Sequence, residues 1–204
     1  MMDRKLILGS KSPRRQEILK LAGWDFKVMT TDEDETIDES LQKTDIPAYL
    51  AEQKANFILP KIASDNYTLI TADTIVLLNN EIIGKPKDLT EAKETLQKLS
   101  GNMHQVISGV CIKTPQKTVS FSDVANVFFK KLSEEEIDYY LANYEVLDKA
   151  GAYAIQEWIG LIGIEKIEGS YYNIMGLPIQ KLYQKLQEIK SVSYTHLRAH
   201  ETTS

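Results

Sequence analysis

The sequence predicts an α/β protein with a mixed, partly antiparallel β-sheet flanked by helices, and three observations carry that expectation. Stretches of strand-like and helical apolar period alternate along the chain. Asn79-Asn80 separates two apolar runs as a hairpin turn does. Two long strand-like runs, 104–113 and 118–131, follow one another as a meander. With 204 residues, 43% hydrophobic and 26% charged, the chain reads as one domain over 1–190, or one domain in two lobes, without repeats or linkers.

The elements follow in order. A short strand at 5–8 leads through Gly9-Ser10-Lys11-Ser12-Pro13-Arg14-Arg15 into a helix ending at Leu21, with Ser12 as N-cap, Pro13 at the first helical position and Gly23 as the stop. A strand at 26–29 precedes the run 32–39, in which six of eight residues are acidic, a pattern that ordinarily marks a solvated loop. Leu50, Ala51, Ala55, Ile58 and Ile62 recur at helical spacing after Asp45 and Pro47, with Lys54 beside that face as a snorkelling lysine. The strand through Asp73 turns at Asn79-Asn80 into Glu81-Ile82-Ile83 and ends at Gly84-Lys85-Pro86. A helix from Thr90 closes at Gly101. After the meander, Ser133-Glu134-Glu135-Glu136 is a capping box. A strand is expected at 159–164, and Leu182, Leu186 and Ile189 mark a last helix to Lys190.

Composition excludes several functions. A net charge of −5 argues against coating nucleic acid by bulk charge, so any anion site must be focused. The single cysteine, Cys111, excludes an internal disulfide or a cysteine-based zinc cluster, reads as a small core hydrophobe and suits a reducing cytoplasm. No apolar run reaches the length of a membrane span, and Met1-Met2-Asp3-Arg4-Lys5 enters a strand without the apolar region of a signal peptide; the expectation is a soluble cytoplasmic protein. Residues 191–204 lose the apolar period, hold two of the three histidines and read as an appended, non-native tail, in which the four-residue spacing of His196 and His200 carries no metal assignment. His104, the histidine outside that tail, reads as a structural hydrogen-bonder.

Two stretches point to chemistry. Asp73 stands among Leu69, Ile70, Ile75, Val76 and Leu77, where a carboxylate either sits at a strand end in water or meets a metal, a cation or strong donors. Arg14 and Arg15 occupy the first helical turn, where each cation opposes the helix dipole by roughly 0.3–1 kcal/mol. Either they are solvated or paired with acids, or a phosphate chain docks there with the serine hydroxyls and backbone N–H groups; the glycine spacing is not that of a P-loop.

Three separated stretches then stand together: Ser10-Lys11-Ser12-Pro13-Arg14-Arg15; Ala72-Asp73-Thr74 with Gly84-Lys85-Pro86; and Asp148-Lys149-Ala150-Gly151-Ala152-Tyr153-Ala154-Ile155-Gln156 with Gly169-Ser170-Tyr171 and Gly176-Leu177-Pro178. This set resembles the Maf family of nucleoside triphosphate pyrophosphatases, related in fold to the ITP pyrophosphatases, over residues 4 to about 189. The resemblance implies two lobes around a central cleft, a divalent cation (Mg²⁺ or Mn²⁺), a homodimer, and hydrolysis of a nucleoside triphosphate to its monophosphate and pyrophosphate. It implies that Asp73 is the catalytic acid or base and a metal ligand, that Arg14, Thr74 and Gln156 set substrate choice, that Lys54 and Lys85 lie near the phosphates, and that Glu35 reaches the metal, a role also open to Asp34 or Glu39. The Arg14, Thr74 and Gln156 combination resembles the branch that cleaves dTTP and UTP. Glu157-Trp158 departs from the family pattern, which often has glycine there. On this resemblance Ser10, Ser12 and Arg15 join Arg14, Lys54 and Lys85 on the phosphates, and Gln156 offers donor and acceptor to the O4 and N3–H edge of uracil or thymine. The alternative from another class is a nucleotide- or nucleic-acid-binding regulator of septum formation or cell division, in which the same pocket senses a ligand without turnover.

Overall fold

The computed structural model describes residues 5–33, 35–38 and 40–201, with the side chains of the last helix described through Ser191. The strands are β1 (Lys5–Gly9), β2 (Lys27–Val28), β3 (Tyr67–Leu78), β4 (Glu81–Ile83), β5 (Met103–Lys113), β6 (Thr118–Phe129) and β7 (Ile164–Glu168). They form one mixed sheet in the order β2-β1-β3-β5-β6-β7, with β4 paired to β3. The helices are α1 (Pro13–Leu21), α2 (Ile46–Ile58), α3 (Leu89–Leu99), α4 (Glu134–Asn143), α5 (Trp158–Gly163), α6 (Tyr171–Ile174) and α7 (Ile179–Glu201).

The period of two along the central strands divides the core between the two faces of the sheet. Ile7 and Leu69 pack with Ala51, Ala55 and Ile58 of α2 and with the buried Cys111. Leu8 and Ile70 pack into the larger cluster with Ile18, Leu19, Leu96, Tyr140 and Leu182. Removing each such Leu or Ile from water contributes roughly 1.5–3 kcal/mol. The helix α2 sits hard against the sheet at Gly109, where a Cβ would fall 2.0 Å from the backbone nitrogen of Ala48.

One feature of β3 positions the site. Along one side the strand pairs in parallel with β1 up to the Gly9–Thr71 register and then antiparallel with β4 from Val76–Ile83 onward. Its other side pairs with β5 from Leu69 to Leu77. Residues 72–75 therefore face a gap in the sheet, just beyond the carboxyl end of β1, where open α/β sheets form ligand crevices. The hairpin turn that starts β4 is as the sequence predicts, with φ of 48° at Asn79 and 67° at Asn80.

Three local expectations need correction. The strand expected at 159–164 is instead the helix α5, followed by β7: the N–H groups of Gly160 and Leu161 both donate to the Glu157 carbonyl, and the missing side chain at Gly160 lets the turn lie against the Ile155 carbonyl. A short apolar run is ambiguous between the two structures. The helix expected from Thr90 begins at Leu89, because Asp88 rather than a threonine caps it, accepting from the Glu91 N–H. The last helix runs beyond Lys190 to Glu201; an apolar stripe marks where a helix packs, not where its backbone bonds cease. The capping box at Ser133 forms as predicted, with both reciprocal bonds to Glu136.

Candidate active site

The gap beside β3 opens into a cleft of about 440 Å³, within the range of small-ligand sites. It is lined by Ser10, Ser12, Arg14, Arg15, Glu35, Lys54, Asp73, Thr74, Lys85 and Gln156, so the ten residues singled out in the sequence share one space. Asp73 is neither at a strand end nor in bulk water. It stands in mid-strand, and Lys54 of α2 donates to its Oδ1 at 2.5 Å. The same ammonium lies 3.7 Å from Glu35 Oε1. Among the acids of the 32–39 run, Asp32 turns outward to Lys11 and Asp38 binds Ser40, while Glu35 lines the cleft. Asp34 and Glu39 lie outside the described residues.

Successive residues of a strand point to opposite faces, yet Asp73 and Thr74 both line the cleft because the sheet is interrupted there. On the face of Thr74 the polar groups form a directed chain. Arg15 donates from one guanidinium nitrogen to Thr74 Oγ1 at 3.0 Å, from the other to Ser10 Oγ at 3.0 Å, and from Nε to the Gly176 carbonyl at 2.8 Å. The Ser108 hydroxyl donates to the Asn173 carbonyl at 2.9 Å. A hydroxyl has one proton, so in the 2.8 Å contact between Thr74 and Ser108 the donor is Thr74. Burial pulls the Arg15 guanidinium below its ordinary pKa, the charge of Asp73 opposes that, and Arg14 adds to it.

The remaining cations are held more loosely. Among the described residues Arg14 makes one side-chain hydrogen bond, to Asp148 Oδ2 at 3.4 Å. Lys85 and Gln156 are exposed at the rim, and among the described residues neither side chain has a hydrogen-bond partner. Ser12 occupies the N-cap position of α1 without a side-chain cap bond; its N–H donates to Ser10 Oγ at 3.3 Å. Sequence reasoning missed Asp148 and Lys149, which also line the cleft. Both lie inside the 148–156 stretch, but a lysine in a loop gives no sign of burial, and this one is 5% exposed.

Asp73 and Glu35 converge on one ammonium, and two carboxylates in one cleft are hard oxygen donors of the kind Mg²⁺ or Mn²⁺ accepts while keeping water and phosphate ligands. Among the described residues there is no cluster of three or more potential metal-ligating side chains, so phosphate and water would complete such a coordination shell. No helix among the described residues is long and apolar enough to cross a membrane.

A family model described as Maf-like protein matches residues 5–189. A dTTP/UTP pyrophosphatase of Parabacteroides distasonis is 50% identical over 184 residues, which cover 90% of this chain and 95% of the relative. Proteins of the same name from Flavobacterium psychrophilum and Phocaeicola vulgatus are 50% and 48% identical, covering 88% and 91% of this chain and 91% and 96% of their own lengths. The family match spans β1 through the first half of α7, with the whole cleft inside it, and the chain belongs to the Maf-like protein family.

Proposed function

We propose that the chain hydrolyses dTTP and UTP to the nucleoside monophosphate and pyrophosphate at this cleft. The observation that carries the proposal is the meeting of the Asp73–Lys54 pair, Glu35 and the Arg14 and Lys85 cations in one space. The activity is the one for which the similar proteins are named.

A water oxygen attacks the α-phosphorus, the bond to the α–β bridging oxygen breaks, and pyrophosphate leaves with that oxygen. The Asp73 carboxylate accepts the water's proton. Among the described residues its hydrogen bonding is confined to Oδ1, which leaves Oδ2 for that task. Asp73 and Glu35 would hold a divalent cation, which when bound neutralises charge on the phosphate oxygens. Lys54, Lys85 and Arg14 draw the leaving pyrophosphate, with Ser10 and Ser12 at the turn into α1, and such positioning and charge stabilisation are the main work of phosphoryl-type transfer. Gln156 reads the O4 and N3–H edge of the base. Thr74, whose O–H is committed to Ser108, shapes the pocket and holds Arg15 in register.

The proposal extends to a cytoplasmic homodimer with residues 191–204 outside the catalytic unit. The unpaired buried thiol of Cys111 supports a reducing compartment, and the family resemblance supports the dimer. The test is to incubate the purified chain with each nucleoside triphosphate and Mg²⁺ or Mn²⁺ and resolve the products. Equal amounts of monophosphate and pyrophosphate from dTTP and UTP are expected; binding without products would return the reading to a nucleotide-sensing regulator.

A further inference from the structure

Beside Gln156 lies an ionic cluster built on the buried Lys149 ammonium, to which no role has yet been given. The Lys149 ammonium donates to the Glu145 carbonyl and to Asp148 Oδ1 at 2.8 Å, and stands 3.5 Å from Glu157 Oε1. The other Glu157 oxygen accepts from the hydroxyl of Tyr140, a fully buried ring whose oxygen in turn accepts the Ala154 N–H at 3.2 Å. Burial and the Glu157 carboxylate raise the Tyr140 pKa, which keeps that hydroxyl a donor. Asp148 extends the cluster outward by accepting from Arg14 with its second oxygen.

The segment between the two ends of this cluster is held against its own preference. Gly151 and Ala152 have φ of 75° and 59°. For a residue with a Cβ, such as Ala152, the left-handed region costs on the order of 1 kcal/mol and persists where the surroundings dictate it. The Ala152 N–H is tied to the Lys149 carbonyl at 3.0 Å and the Gly151 N–H to the Gly84 carbonyl at 3.1 Å, next to Lys85. Lys149 thus stands at the near end of the loop and grips Glu157 at its far end. Between them Tyr153, Ala154, Ile155 and Gln156 form one wall of the cleft. A buried ion pair adds little net stability over an apolar replacement. What it fixes is geometry, here the placement of Gln156 relative to Arg14.

We infer that Lys149, acting with Glu157, is a positioning residue for nucleobase selection: it clamps the loop that carries Gln156 at a set distance from the Arg14 side of the cleft. The inference rests on the reading of Gln156 as the residue that meets the base. A thymine edge presents O4 as acceptor and N3–H as donor, and a cytosine edge reverses both, so dTTP against dCTP measures how firmly the amide is held.

The experiment compares the wild-type chain with Lys149→Met and Glu157→Gln. It measures kcat/KM for dTTP and dCTP by pyrophosphate release, Kd for the α,β-methylene analogues of both by calorimetry, and the thermal midpoint of each protein. In both variants the preference for the thymine nucleotide is expected to fall about tenfold, with kcat for saturating dTTP changed less than about threefold. Should Lys149→Met fail to fold with its carboxylates unpaired, Glu157→Gln carries the test, because its amide oxygen still accepts from Tyr140. An unchanged preference in a folded variant, or a parallel loss for both nucleotides that tracks the thermal midpoint, overturns the inference. Absence of turnover by the wild-type chain would sink the proposed reaction instead, and the ratio of Kd values would still decide the positioning role.

Discussion

Arg15, on the floor of the cleft, gives three of its five N–H donors to Gly176, Ser10 and Thr74, whereas its neighbour Arg14, on the rim, gives one long hydrogen bond to Asp148. Both are cations in the first turn of one helix, where a phosphate would be expected to repair an unfavourable dipole. The floor resolves that problem internally: the guanidinium is consumed in joining α1, β3 and the turn after α6. The rim keeps Arg14 on one long contact to Asp148, and in the proposed reaction that cation meets the substrate phosphates. The difference teaches that adjacent residues of one type can divide into architecture and recognition, and that hydrogen-bond saturation tells them apart.

The sharpest break of this division would come at Asp73, which belongs to neither region alone. Asp73→Asn is expected to lower kcat by about 10³-fold while the thermal midpoint stays close to that of the wild type, measured by pyrophosphate release and calorimetry. Persistence of turnover would remove the reacting centre from between floor and rim. Next in size, Arg15→Ala strands Thr74, Ser10 and the Gly176 carbonyl, and should cost roughly 3 kcal/mol in denaturant unfolding. Arg14→Ala should leave stability within about 0.5 kcal/mol and lower kcat/KM for dTTP by roughly 10–100-fold. Equal stability losses in the two variants would erase the distinction.

Acid should weaken the core behind the cleft wall, where His104 packs against Tyr153. His104 is 1% exposed, its Nε2 lies 2.7 Å from the Tyr153 hydroxyl, and burial lowers its pKa from 6.5 to about 4. The folded state therefore favours the neutral ring. That stability is complete above pH 6.5 and is lost as the pH falls toward 4, because the unfolded chain takes up the proton first; the loss is on the order of 3 kcal/mol. Denaturant unfolding at stepped pH should show it, and His104→Gln should remove that part of the slope. The smallest expected effect is that of deleting residues 192–204, which should change kcat/KM by less than about twofold if the tail lies outside the catalytic unit, since side-chain packing of the cleft ends well before it.

Much of this arrangement was legible in the chain. The hairpin at Asn79-Asn80 and the capping box at Ser133 depend on local chemistry and formed as read. The cleft residues were reachable because three short stretches carry unusual residues together, Asp73 in an apolar strand above all. The strand expected at 159–164 failed because Ile159, Leu161 and Ile162 fit either period, and the deciding contact, Gly160 against the Ile155 carbonyl, is a matter of packing. Spacing alone could not separate Arg14 from Arg15, since either could face the phosphate; only the family resemblance singled out Arg14, for substrate choice. Lys149 was overlooked for a related reason: its acceptors come from Glu145, Asp148 and Glu157, and only the folded loop gathers them.

Gly109 gives this site an unexpected fragility. It pairs directly with Asp73 across β3 and β5, and α2 begins on top of it, with Lys54 about two turns further along. One methyl group at that position would have to lift the start of the helix, and the ammonium would tilt away from its carboxylate although neither residue had changed. The spacing of the Lys54–Asp73 pair is thus written in an atom that is not there, and a search for tolerated substitutions that watched only charged side chains would pass over a position able to detune them.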